Sequence, residues 1–355
     1  MNDNISCMLI RGGTSKGAYF LASDLPSDEQ ARNELLIRIM GSGDGQQING
    51  IGGGTTLTSK VAIVSPSQEE GTDLEYLFAQ VGVETKDVDT KPSCGNILSG
   101  IVAFASESQL INLDSPTTKL RVKNINTNTI IEVSAESPNG RLQYDGNVKV
   151  DGVPGTGSPI LLNFLNVGGA KTGKLFPTGN VRDVVQGIEI SCVDAAVPMI
   201  HINAKDLGLE GNESKQQLDD DTDLLQRIES IRLEAGEKMG LGDVSGSVVP
   251  KVSLLSSPHD EGHITSRYFV PQNCHASHAV TGAICVAAAS VIPGTIAFEV
   301  CKRIQSQTVL IEHPSGQIQV NIQVEAGEVE PQVRQAALVR TARPLFKGAV
   351  YPNSL

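Results

Sequence analysis

Ser93-Cys94-Gly95-Asn96-Ile97-Leu98-Ser99-Gly100-Ile101-Val102-Ala103-Phe104-Ala105 is the stretch on which the fold turns. Residues 97–105 are apolar nearly all round and rich in small side chains, the pattern of a helix buried on every side. A thiol followed by Gly and Asn stands at its entry, where backbone N–H groups lack intrahelical acceptors. Such an entry favours anions and lowers a thiol's pKa. A second run of this kind, near residues 279–289, is entered past Cys274. Two buried helices, each approached through a cysteine, predict two halves facing each other across one site.

Outward from these runs, short alternating or β-branched segments dominate, including 5–10, 60–64, 129–133, 189–193, 248–255, 262–270, 309–312 and 317–324. Turn residues separate them, and Pro138–Tyr144 and Pro314–Val320 read as hairpin entries. Only Asp28–Met40 and Asp223–Met239 carry the 3.6-residue period of surface helices. Ile5-Ser6-Cys7 recurs as Ile190-Ser191-Cys192, and Ser99-Gly100-Ile101-Val102 is echoed by Thr281-Gly282-Ala283-Ile284. Both echoes are displaced by roughly 180 residues, which predicts a duplicated chain. The expected halves are 1–185 and 186–355, with 333–355 able to pack back onto the first.

The 355 residues suffice for two domains. A net charge of −12 argues against nucleic acid or an anionic membrane as partner. No apolar stretch is long enough to span a bilayer, and Met1-Asn2-Asp3-Asn4 lacks the basic and apolar regions of a secretory signal. Six scattered cysteines without a CxxC word read as reduced thiols, so the expected location is the cytoplasm. A small anionic substrate remains compatible with the charge, because a few Lys and Arg can dominate one cleft.

Two Gly-rich words can bring backbone N–H groups close to an anion. They are Arg11-Gly12-Gly13-Thr14-Ser15-Lys16-Gly17 and Gly50-Ile51-Gly52-Gly53-Gly54 running on to Ser59-Lys60. Neither has the order of a P-loop or of a dinucleotide fingerprint. Lys60 directly precedes Val61-Ala62-Ile63-Val64, a strand that should be buried. A lysine there is partly desolvated, which brings its pKa down toward that of a useful base. His275 and His278 lie near the second helix entry, but no third ligand accompanies them at a recognisable spacing, so no metal site is expected. Cys7, Cys192, Cys285 and Cys301 sit inside strand or helix patterns and read as core.

Several long words, in order from end to end, resemble the PrpF family. They are Met8–Gly17, Gly50–Gly54 with Leu57-Thr58-Ser59-Lys60, Pro92–Asn96, Asp151–Thr156, Lys171–Thr178 and Met239–Asp243. The resemblance implies an α+β, diaminopimelate-epimerase-like fold. It consists of two pseudo-symmetric domains, each an antiparallel barrel-like sheet around a central buried helix, with the active site between them at the helix N-termini. It also implies a cofactor-independent isomerase in which Lys60 is the base and Cys94 its partner. One departure matters: epimerases of this fold carry a second catalytic thiol where this chain has Ala279.

The expected function is therefore an isomerase or tautomerase that moves a double bond in an unsaturated di- or tricarboxylate resembling 4-oxalomesaconate. Lys60 and Cys94 are the expected catalytic pair. Arg11, Thr14, Ser15, Gly53, Gly54, Ser93, Gly95, Asn96, Arg267, Cys274 and His275 are the expected substrate contacts, with Arg267 as a carboxylate clamp. The alternatives are a 2-methylaconitate or methylitaconate isomerase, a thiol-based epimerase, which Ala279 counts against, and a non-catalytic tricarboxylate binder. A homodimer is the default expectation for a cytoplasmic enzyme.

Overall fold

The computed structural model describes residues 4–270, 272–327 and 330–352. In chain order its first elements are β1 (Ile5–Gly12), β2 (Ser15–Leu21), α1 (Glu29–Met40), β3 (Lys60–Pro66), β4 (Leu74–Val81), β5 (Val88–Asp89), α2 (Gly95–Leu98), α3 (Ile101–Glu107), β6 (Thr117–Asn124), β7 (Thr129–Glu136), β8 (Val148–Lys149), β9 (Thr156–Gly157) and β10 (Ile160–Leu165). There follow β11 (Asp183–Val185), β12 (Ile188–Asp194), β13 (Pro198–Asn203), α4 (Lys215–Asp220), α5 (Thr222–Lys238), β14 (Lys251–Ser256), β15 (Ile264–Phe269), α6 (Val280–Val291), α7 (Ile296–Val300), β16 (Thr308–His313), β17 (Gly316–Glu325), β18 (Gln332–Arg340) and β19 (Ala342–Val350). The chain forms two compact units, one of Met1–Leu162 with Val339–Leu355 and one of Asn163–Leu338.

In the first unit β19 pairs with β1, and the ladder runs on through β2, β3, β4, β6 and β7. From β1–β2 onward the pairings alternate antiparallel, parallel, antiparallel, parallel, antiparallel. The second unit repeats that alternation from β12–β13 through β14, β15 and β16 to β17. In each, the buried helices α2/α3 or α6/α7 come between the fourth and fifth strands of the series. The duplication heard in two short words is thus a repeated strand topology. Lys251 opens β14 as Lys60 opens β3.

Strand alternation gives each sheet two faces. In the first unit Ala18, Phe20, Val61, Ile63, Ala79 and Val81 point one way and pack against Leu35, Leu36, Ile39 and Met40 of α1. Asp28 caps that helix by accepting from Ala31 N at 2.8 Å, and Gly41, at φ 72°, ends it. The opposite face packs α2, with α3 lying against β7 and β19. The second unit follows the same plan. Its α5 lays Leu224, Ile228, Ile231 and Ala235 on one face, and α6, buried along nearly its whole length, occupies the other.

Two expectations are corrected. Residues 97–105 are not one helix: α2 and α3 are separated by a tight turn at Ser99-Gly100. Ser99 Oγ donates to Asn96 O at 2.7 Å, and Gly100 N donates to Ile97 O at 3.0 Å. Tyr19 OH also donates to Ile97 O, and a Cβ on Gly100 would lie 2.4 Å from that hydroxyl. Pro314 does introduce a hairpin, with His313 opposite Gly316. Pro138-Asn139-Gly140 instead forms a short 3-10 turn in which Asn139 and Gly140 depart from helical geometry with positive φ, and no strand pairs back onto β7 directly after it.

Candidate active site

The α2 face of the first sheet collects the candidate chemistry. In parallel register Gly17 lies beside Lys60, and in antiparallel register Lys60 lies opposite Gln80. Period two then places Ser15, Gly17 and Tyr19, Lys60, and Tyr76, Phe78 and Gln80 on the same face. Gly17 leaves room for that approach, since a Cβ there would lie 2.8 Å from Lys60 O and 3.0 Å from Ile97 Cδ1.

Lys60 Nζ donates to Gln80 Oε1 at 2.7 Å and lies 5.0 Å from the centre of the Phe78 ring. The orientation of Gln80 is fixed, because its Nε2 donates to Ser59 O at 2.8 Å and to Thr56 O at 3.2 Å. Burial holds the Lys60 pKa below its ordinary 10.5, and a Cys94 thiolate would push it back up. Among the described residues, no carboxylate is one of the charges acting on it. A neutral acceptor, unlike a carboxylate, does not oppose the lowering that desolvation brings.

Cys94 is the N-cap of α2, with extended backbone and no side-chain cap bond. Its carbonyl accepts from Tyr76 OH at 3.0 Å and from Leu98 N at 3.0 Å. Asn96 is buried and links three segments. Its Nδ2 donates to Thr14 Oγ1 at 3.1 Å, and its Oδ1 accepts from Arg340 Nε at 3.2 Å. The β1–β2 turn is built around it: a Cβ on Gly13 would lie 2.1 Å from Asn96 Oδ1, and one on Gly12 would lie 2.2 Å from Asn96 O. Ser15 Oγ is buried without a hydrogen-bond partner. Ser93 Oγ accepts from Asn124 Nδ2, which anchors the residue before the thiol.

Other expected contacts lie elsewhere. Arg11 alternates onto the α1 face, where Nη1 donates to Thr341 O at 2.6 Å and to Thr341 Oγ1 at 2.8 Å. The Gly52–Gly54 loop wraps a side chain: Gly54 N donates to Gln47 Oε1 at 3.0 Å, and a Cβ on Gly53 would lie 2.6 Å from Thr58 Oγ1. In the second unit Arg267 and Cys274 belong to the α4/α5 layer, not to the face that carries α6. Arg267 Nε donates to Glu213 O at 2.7 Å, and Cys274 N donates to Asp219 Oδ1 at 2.7 Å. Burial pushes the Cys274 thiol up to about 12, far from a working thiolate. His275 Nδ1 accepts from Ser277 N at 3.0 Å in a local turn. The structure therefore brings together Lys60, Cys94, Gly95, Asn96, Thr14 and Ser15. It does not bring Arg11, Gly53 or Gly54 into that cluster, and it places Arg267, Cys274 and His275 in the other unit.

Sequence reading missed three residues here. Gln80 is legible only once the β3–β4 register is known. Tyr76 reaches the thiol's carbonyl from the same strand. Arg340 comes from the far end of the chain. Among the described residues no group of three or more His, Cys, Asp or Glu side chains could hold a metal ion. Nor is any helix among them long and apolar enough to cross a membrane.

Residues 2–353 match the family model described as PrpF protein. The chain is 47% identical over 347 residues to YbhH of Escherichia coli (strain K12), covering 98% of this chain and 99% of that one. It is 44% identical over 348 residues to a 4-oxalomesaconate tautomerase of Pseudomonas putida, covering 98% and 95% respectively. Among solved structures it is similar to a methylitaconate-delta-isomerase, with TM-score 0.80, 35% identity, and 98% and 95% of the two chains covered. A hydroxyproline epimerase from Agrobacterium vitis shares the fold at TM-score 0.61 and 11% identity, with 98% and 93% of the two chains covered. The expected epimerase-like α+β fold is thereby borne out.

Proposed function

The chain belongs to the PrpF family, and from that premise we propose that it is a cofactor-independent isomerase that shifts a carbon–carbon double bond in an unsaturated tricarboxylate of the 4-oxalomesaconate kind. The observation that carries this reading is Lys60, partly buried on the α2 face and paired with a neutral amide rather than a carboxylate.

In this mechanism the free amine of Lys60 removes a proton from the carbon adjacent to both the double bond and a keto or carboxylate group. The electron pair spreads into a dienolate whose charge settles on oxygen. Backbone N–H groups at the start of α2 lack intrahelical partners and can stabilise that oxygen. The proton then returns to the far allylic carbon, from Lys60 itself or from Cys94. An anionic substrate favours the charged lysine, so desolvation of Lys60 has to outweigh that attraction. Gln80 helps by accepting one N–H without adding negative charge.

The test is incubation with candidate acids in deuterated water, followed by NMR. Deuterium entering both allylic positions supports the isomerase. Entry at a stereocentre alone would make it an epimerase, and no entry with retained affinity would make it a binder. The likeness to a methylitaconate-delta-isomerase favours including methylitaconate beside the tricarboxylates. The same reading places the protein in the cytoplasm as a homodimer, testable by cell fractionation and light scattering.

A further inference from the structure

Two buried arginines of this chain show contrasting ways to house a guanidinium. Arg232, on α5, is sealed and fully used. Nε and Nη2 donate to Glu229 at 2.6 and 2.7 Å, while Nη1 and Nη2 also reach the carbonyls of Ser247, Val249 and Val244. Its charge is matched by a carboxylate, as burial requires.

Arg340 is just as deep, at 5% exposure, but is not matched. Nε donates to Asn96 Oδ1 at 3.2 Å and Nη1 donates to Val339 O at 2.8 Å. Both partners are neutral. Nη2 has no partner among the described residues and is not one of their sealed unpartnered atoms, so it keeps contact with solvent. No ion pair among the described residues holds the group, and its Cδ would lie 3.1 Å from a Cβ on Gly13. A guanidinium carries five donors, and here most of them are unused beside the Cys-Gly-Asn turn.

We propose that Arg340 binds a carboxylate of the substrate, supplying from the last strands of the chain the anion clamp of the Lys60–Cys94 site. This rests on the functional reading above and names a contact within it. The planar fork suits bidentate capture of a carboxylate. Asn96, held by Arg340 on one side and Thr14 on the other, would fix that fork's angle relative to α2. Burial brings its pKa down only to about 10, which leaves it charged at neutral pH.

The test uses the full chain and propane-1,2,3-tricarboxylate, a saturated acid with no double bond to move. Calorimetric titration of wild type should show binding that weakens at least tenfold in R340Q and less in R340K. In deuterated water, R340Q should lose exchange chiefly through KM. A folded R340Q that binds within twofold of wild type overturns the proposal, as does a wild type that does not bind this acid. Should R340Q fail to fold, the Nε–H resonance of Arg340, identified by its loss in R340K, must shift on titration of the wild type. An unmoved resonance at saturation overturns the proposal. The functional reading fails separately, if wild type binds the acid yet exchanges deuterium with no unsaturated one.

Discussion

Lys60 and Gln80 stand directly opposite each other across the β3–β4 ladder, and Nζ donates to Oε1 at 2.7 Å. That pairing makes the lysine's environment neutral. Replacing Gln80 by Glu would put a carboxylate in contact with Nζ at almost unchanged volume. An opposite charge at that range raises a lysine's pKa and cuts the free amine at neutral pH by about ten- to a thousandfold. Q80E should therefore lose that much kcat near pH 7 and recover as pH rises. A pH–rate profile of deuterium exchange checks it. A profile identical to wild type would remove Lys60 from the role of base.

Stability reports on the same lysine. Below its lowered folded pKa, Lys60 is protonated in both states and burial of the ammonium costs stability in full. Between that pKa and the ordinary 10.5 the unfolded chain binds more protons, so this group's contribution rises with pH. Above 10.5 the cost is gone. Lys60→Met removes the charge and keeps the stem. It should abolish exchange yet melt higher than wild type at neutral pH, with the difference shrinking toward pH 10.5. Parallel thermal melts at several pH values measure this.

Much of the site was legible because it is written in local words. Cys94-Gly95-Asn96 and the lysine before an apolar strand mark it without any tertiary knowledge, and the repeated Ile-Ser-Cys word betrays the duplicated topology. Face was not legible. Arg11 looks like an anion ligand beside two glycines, but it is odd by one residue from Ser15's partner Gly12, and a shift of one residue sends a strand side chain to the other side. Arg267 misleads in the same way: it alternates with Phe269 into the α5 layer. Arg340 could not be found, because its partner Asn96 lies 244 residues away and tertiary contacts, the β1–β19 pairing among them, bring the chain's end to the first turn.

The turn that holds Asn96 gives a third prediction. Gly13 has φ 49°, and a Cβ there would lie 2.1 Å from Asn96 Oδ1. Gly13→Ala should cost about 1–2 kcal/mol for the left-handed backbone alone, with displacement of Asn96 adding to it. Because Asn96 also holds Arg340, KM should rise with the loss of stability. Gly173→Ala is the control, since it also has positive φ but no atom within 4 Å of its Cβ. It should show the backbone cost without the change in KM.

Acid stability rests in part on Glu312 of the second unit. Burial raises its carboxyl's pKa, but Thr265 Oγ1 and the N–H groups of His259, Gly262 and Asp260 outweigh burial and hold it below its ordinary value. Its stabilisation is present above the unfolded pKa and is lost as pH falls through the folded one. Glu312→Gln turns an amide N–H₂ toward donors and should cost about 2–3 kcal/mol at pH 7. The deficit should narrow below pH 4, which denaturant melts across pH will read.

Cys94 acts on Lys60 in two separable ways. A charge on its sulfur would raise the lysine's pKa, so Cys94→Ser, whose hydroxyl carries none, moves the base limb of the pH–rate profile toward lower pH only where that charge is present. If Cys94 also returns the proton to the far allylic carbon, Cys94→Ser should lower the plateau of kcat about a hundredfold or more, the usual weight of a general acid. A shifted limb with an intact plateau makes Lys60 the only proton carrier and leaves Cys94 as an electrostatic neighbour. A lowered plateau, with deuterium still entering at the first carbon but not at the second, makes the thiol the returning acid. An unmoved limb shows that Cys94 carries no charge while Lys60 titrates and leaves the plateau as the readout of its acid role.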